Sequence, residues 1–217
     1  MKKIYLALLV QCFLLSKAYS QKVYTDQNQV FASKSFHFYG YDVSYLKYAD
    51  TSRIGQDYKK FMNGFLELMY KRFNQKEYEI NFKKGKSNVP FNPAPCWDKF
   101  EKTDFGNFVV RKCEITSTDS ILGNIKDYKL NEKEGIGCIV AFNCFSRKEM
   151  TIDLTMIFFD ISTRSMIYSK NIVSKDKNGY NYMADWKKGA IVAMERLFKA
   201  TAKDFNEYQE THKKTKK

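Results

Sequence analysis

The chain has 217 residues, of which 44% are hydrophobic and 16% aromatic, and it carries a formal net charge of +13. Aromatic content this high excludes a disordered chain, and the length suits one domain with a sizeable core. A basic balance favours acidic partners but selects none of them, because charge alone names no ligand.

Residues 1–20 read as a signal peptide. Lys2 and Lys3 form a positive start, Ile4–Leu15 is an apolar run too short to span a bilayer, and Ala18-Tyr19-Ser20 places small residues at −3 and −1 of a cleavage site. Removing this segment takes away Lys2, Lys3 and Lys17 and no acid, which lowers the formal charge from +13 to +10. No second long apolar run follows, so no transmembrane segment is expected after cleavage.

Residues 21–208 read as a single α/β domain. Residues 21–34 are polar and read as a loose lead-in. Ser35–Tyr45 reads as the first strand, with Gly40 as a bulge that brings Phe36, Phe38, Val43 and Tyr45 inward. Asp50-Thr51-Ser52 offers N-cap residues for a helix over 54–73, whose apolar stripe is Tyr58, Phe61, Met62, Phe65, Leu66, Met69 and Phe73. Glu77–Phe82 alternates like a strand. Residues 83–96 form a basic loop that holds all three prolines, with Trp97, Phe100 and Phe105 tying its end to the core.

Phe108–Thr116 reads as a further strand, and Ser117–Asp119 caps a short helix over 120–128. Three strands then follow in an antiparallel meander, at Ile136–Phe145, Met150–Asp160 and Ser165–Val173. Their even positions, Ile136, Cys138, Val140, Phe142, Ile152, Leu154, Met156 and Phe158, make one apolar face, and the other face is apolar near one end only. Asp160 reads as a turn residue that accepts a backbone N–H two residues on. Asn178-Gly179 marks a turn. The last helix runs from about 182 to 208 on a stripe of Met183, Trp186, Ala190, Ala193, Met194, Leu197 and Phe198, extended by Ala202 and Phe205. Residues 209–217 read as a frayed, disordered basic tail.

Four cysteines lie outside the leader, Cys96, Cys113, Cys138 and Cys144. Export permits disulfides, and four cysteines allow about three pairings. Cys138 and Cys144 lie about 20 Å apart on one extended strand, which excludes a bond between them. Alternation puts both on the core face as buried thiols, and a bridge, if formed, is expected at Cys96. With no C-x₂-C pair and only His37 and His212, no metal site is expected.

No nucleotide-binding glycine loop, zinc-protease motif or calcium loop occurs, and neither histidine has a partner that would complete a nucleophilic triad. No cofactor and no catalytic residue is assigned. Chemistry by carboxylates alone would have to use Asp42, Glu79, Asp153 or Asp160, and no spacing selects a pair among them. The candidate ligand-binding residues are Asp42, His37 and Tyr41 on the first strand, together with Lys83, Lys84 and Lys86. Asp42 is singled out as a carboxylate among aromatics, where burial disfavours charge.

At the meander, IGCIVAFNCFSRKEMTIDLTMIFFDISTRSMIYSKNI followed by GYNYMADWKKGAI resembles the C-terminal half of a group of uncharacterised exported proteins of Gram-negative bacteria. These carry an FFD-x-x-T/S hairpin and an aromatic segment opening the last helix. YGYDVSYLKYAD is similar to their first strand, and Asn178-Gly179-Tyr180 stands where the group tends to have a glycine-rich run. The strand, D-x-x-T turn, strand pattern also resembles, at the level of fold, small α/β domains of envelope assembly proteins of the Tol and curli-secretion systems. The resemblance implies an envelope location and carries no activity.

The expectation is an α+β (α/β-like) fold, a mixed and largely antiparallel sheet with two long helices and one short helix packed mainly on one face. The expected function is a non-catalytic exported protein of the periplasm, outer membrane or secreted fraction that binds a protein or small ligand. The alternatives are a carboxylate-dependent hydrolase and a polyanion-binding protein. No specific nucleic-acid partner is expected.

Overall fold

The computed structural model describes residues 25–49, 58–82, 89–114, 117–175 and 183–214. The elements in chain order are α1 (Gln27–Ala32), β1 (His37–Asp42), β2 (Lys47–Ala49), α2 (Tyr58–Arg72), α3 (Gln75–Asn81), α4 (Ala94–Lys102), β3 (Val109–Val110), α5 (Thr118–Lys126), β4 (Ile136–Ser146), β5 (Thr151–Asp160), β6 (Met166–Lys175) and α6 (Met183–Lys214). The six strands form one mixed sheet in the order β3-β2-β4-β5-β6, with β1 also paired to β4. The fold is α+β.

The meander supplies the long antiparallel pairings, β4 with β5 and β5 with β6. β1 and β2 run parallel to β4 along the same edge, β1 opposite Gly137–Ala141 and β2 opposite Cys144–Ser146. They act as one strand broken at residues 43–46. β1 carries a bulge between Phe38 and Tyr41, where Gly40 sits at φ +114°. A Cβ there would overlap the Tyr70 hydroxyl, so glycine is required by backbone and by space. The bulge sends Phe36, Phe38, Tyr41 and Val43 to the larger core and Tyr39 to the other face. Tyr45 packs against that second cluster, not the larger core.

The larger core lies between the sheet and α2, α3 and α6. Phe145 stacks on Trp186 at 5.1 Å, and Phe65 meets Phe142 and Phe145 edge-on. α6 buries Trp186, Ala190, Ala193, Met194, Leu197, Phe198 and Phe205, the helical spacing of the expected stripe. Among the described residues the second face is covered at one end only. There Ile121, Ile125 and Tyr128 of α5 and its exit, with Cys96 of α4, close over Ile139, Ala141, Ile157 and Phe159.

Several local expectations are overturned. Glu77–Phe82 is helical: Asn74 caps α3 by accepting from the Lys76 N–H, and Tyr78 and Phe82, one turn apart, both enter the core while Ile80 is 59% exposed. A six-residue alternation carried both periods, and the helical one matched the core. The Pro-containing stretch contributes α4, with Pro95 in its first turn, where a missing N–H costs nothing. Among the described residues of the expected strand at 108–116, only Val109–Val110 pairs, with β2. Residues 27–32 form a helix closed by an Asp26 capping box, and Phe31 packs on Tyr168 and Phe205. Six helices are present among the described residues where two long and one short were expected, and α6 continues to Lys214 where fraying was expected from residue 209. The cap candidates at 50–52 and the turn at 178–179 lie outside the described residues.

The cysteine reading also changes. β4 carries a bulge between Phe142 and Cys144, so the inward position passes from Phe142 to Phe145. Cys144 therefore leaves the face shared with Cys138 and bonds to Cys113, with Cα atoms 5.9 Å apart. Cys96 and Cys138 are buried free thiols. Strict alternation on β4 misplaced Cys144, and the bridge expected at Cys96 is not formed.

Candidate functional site

The expected ligand residues of β1 do not form one site. Tyr41 is fully buried in the larger core. Its hydroxyl donates to the Phe73 carbonyl at 2.8 Å, and desolvation drives its pKa up, so it serves as an internal brace. His37 lies at the opposite end of the strand, half-buried, with Nδ1 3.6 Å from Glu132 Oε1. Glu132 also accepts from the Tyr39 hydroxyl at 2.7 Å. Lys83, Lys84 and Lys86 lie outside the described residues.

Asp42 points to the second face and is 1% exposed. Oδ2 accepts from the Tyr128 hydroxyl at 2.5 Å and Oδ1 from the Ser44 N–H at 2.8 Å. The Cys96 thiol in turn donates to the Tyr128 hydroxyl at 3.9 Å. Burial, with the charge of Asp42, pushes both the Tyr128 phenol and the Cys96 thiol well up, which keeps them neutral. The Ser44 contact is an Asx turn that redirects the chain after β1.

The other three carboxylates are similarly occupied. Glu79 accepts from Gln75 at 2.8 Å. Asp153 accepts from Asn143 at 3.0 Å and Asn171 at 2.6 Å, across the bulge. Asp160 is a turn residue, as read, although the N–H it accepts comes from Thr163, three residues on, at 2.8 Å. The hydroxyls of Ser162 and Thr163 also donate to it.

The open site lies beside this network. The Asp42 turn delivers Tyr45 and Lys47 to a cleft of about 590 Å³ on the second face. Its opposite wall is Val110 at the end of β3 and Arg111, Lys112 and Glu114 after it, and its end is Ser117 and Ser120 at the start of α5. Each wall is held. Tyr45 donates its hydroxyl to the Ser120 carbonyl, and Asn124 donates to the Ser44 hydroxyl at 2.7 Å. Desolvation and the nearby Asp42 charge push the Tyr45 phenol up to about 12. The Cys113–Cys144 bond fastens the Arg111–Glu114 wall to β4. Ser117 caps α5 by accepting from the Ser120 N–H. Arg111 and Lys112 are exposed, Lys47 is half-buried, and Glu114 is the one carboxylate among the described lining residues.

None of these cleft residues stood out in sequence. The usable signal was the basic pair Arg111-Lys112 beside a cysteine, and the strand reading of 108–116 hid it. Among the described residues no group of acidic, histidine and cysteine side chains is arranged to hold a metal ion, and no helix is long and apolar enough to cross a membrane. Comparison of the chain with protein-family models, with curated proteins and with solved structures returns no match.

Proposed function

We propose that the protein is a non-catalytic binding protein of the cell envelope or secreted fraction, and that it recognises a ligand in the cleft between β2, the wall after β3, and α5. The leader read at residues 1–20 supports the exported half of this reading. The observation that carries the binding half is the cleft itself. Its volume of about 590 Å³ falls in the small-molecule range of roughly 300–1,000 Å³. Its walls are set by a hydrogen-bonded strand, a capped helix and a disulfide, so little ordering cost falls on binding. The four candidate carboxylates, three of them buried, support the same reading from the other side, since each already holds a donor from its own chain.

The test is a thermal-shift screen of small anionic, neutral and cationic compounds against the parent and Ser120→Trp, which fills the cleft from an exposed position. A ligand at a hundred times its Kd stabilises by about 2.7 kcal/mol. That should raise the Tm of the parent by several degrees and leave Ser120→Trp unmoved. Equal shifts in both proteins, or none in either across all three charge classes, would count against the cleft.

A further inference from the structure

Resting on the reading of the cleft as the binding site, we infer that its ligand is a small organic oxyanion, a phosphate or sulfate monoester carrying a ring or short apolar chain. Among the described residues the lining carries Lys47, Arg111 and Lys112 and one carboxylate, Glu114. A concave wall focuses such a field, so the charge acts more strongly here than on a convex surface. A monoester suits three cations better than a carboxylate does. It offers three acceptor oxygens, and a phosphate carries roughly −1.5 to −2 charge at neutral pH. Arg111 supplies the planar fork that meets two of those oxygens at once, and the two lysines supply point charges.

The remaining surface describes the rest of the ligand. The Tyr45 ring and Val110 give one apolar stretch, and the hydroxyls of Ser117 and Ser120 give neutral polar contacts at the α5 end. The start of a helix adds positive potential in the same direction, although Ser117 already caps the Ser120 N–H. The cleft volume of about 590 Å³ suits a compact ester. The disulfide matters because Arg111 and Lys112 directly precede Cys113, so two of the three cations are held in place by one covalent anchor to β4.

The test is isothermal titration with phenyl phosphate, phenyl sulfate, inorganic phosphate and phenol. Phenyl phosphate or phenyl sulfate should bind with one-to-one stoichiometry, more tightly than inorganic phosphate, with phenol undetectable. Whichever ester binds more tightly identifies the source of the oxyanion, and either order supports the shared chemistry. Arg111→Gln and Lys112→Gln should each weaken the tighter ester about tenfold, the loss expected for a charge-assisted hydrogen bond. Lys203→Gln, on the exposed side of α6, should leave it unchanged. These side chains are exposed, so the variants should melt with the parent. Absence of binding by both esters at millimolar concentration would overturn the inference, and so would equal weakening by Lys203→Gln. A neutral or cationic ring compound that binds the parent but not Ser120→Trp would overturn the oxyanion and keep the cleft as the binding site. No ligand of any charge sensitive to Ser120→Trp would overturn both.

Discussion

Asp42 illustrates how a residue with the marks of a catalyst serves as a builder. It is a carboxylate among aromatics, it is buried, and a tyrosine and a thiol approach it. The bonds decide its role. One oxygen shapes the turn that carries Tyr45 and Lys47 to the cleft, and the other anchors Tyr128 at the exit of α5. Tyr128→Phe removes the donor and leaves a buried carboxylate oxygen without it. That should cost about 1–3 kcal/mol, read as a lower urea midpoint at unchanged slope. An unchanged midpoint would show that the Tyr128 contact contributes nothing net. The sequence marks this residue as a carboxylate among aromatics, but whether a buried carboxylate is poised or satisfied depends on a donor 86 positions away in the chain.

At the scale of elements, the two bulges do most to shape the second face. Gly40 shifts β1 so that Tyr39 and Tyr41, two apart, reach opposite cores, and the break after Phe142 turns Cys144 toward Cys113. Glycine advertises the first bulge in the sequence. Nothing in FNCF advertises the second, because a bulge at Asn143 becomes favourable only when Asp153 and Thr155 on β5 accept its side-chain N–H groups. The bridge spans 31 residues. On the loop-entropy account, opening such a loop costs about 3–4 kcal/mol. Cys144→Ala, or reduction of the parent, should lower the urea midpoint accordingly and weaken any cleft ligand, while the far-ultraviolet spectrum of the meander persists. Ligand affinity that is indifferent to reduction would show that β3 alone holds the wall.

For the whole molecule, the decisive property is the inequality of the two sheet faces. One is sealed by α2, α3 and α6, and the other is covered at one end and open beside β2 and β3. The sealed regions contain Tyr41, Tyr70, Tyr78 and Tyr128, whose phenols burial pushes well up. In the unfolded chain these groups ionise near pH 10. The sign follows directly. Below that pH both states hold the proton and the contribution to stability is complete; above it only the unfolded chain releases protons, so stability falls as pH rises. The urea midpoint should be level near pH 7, decline above about pH 8.5 as the Cys96 and Cys138 thiols, also pushed up by burial, ionise in the unfolded chain alone, and drop more steeply above about pH 10, with tyrosinate absorbance from these residues appearing together with unfolding. Tyrosinate absorbance for the full set below the unfolding transition would contradict their burial.

The sequence by itself determined the meander, the last helix and the α+β class, because those elements carry long runs of one hydrophobic period. The strands were read at 136–145, 150–160 and 165–173, and they lie at Ile136–Ser146, Thr151–Asp160 and Met166–Lys175. It also marked Gly40 as a bulge and Asp160 as a turn residue, since both depend on local backbone chemistry. Only the tertiary structure decided that Glu77–Phe82 is helical, that Cys113 meets Cys144, and that Tyr45, Lys47, Arg111 and Lys112 share one cleft. These outcomes depend on partners distant in the chain. A six-residue segment fits two periods until a core selects one, and a cleft built from three separate stretches has no period at all.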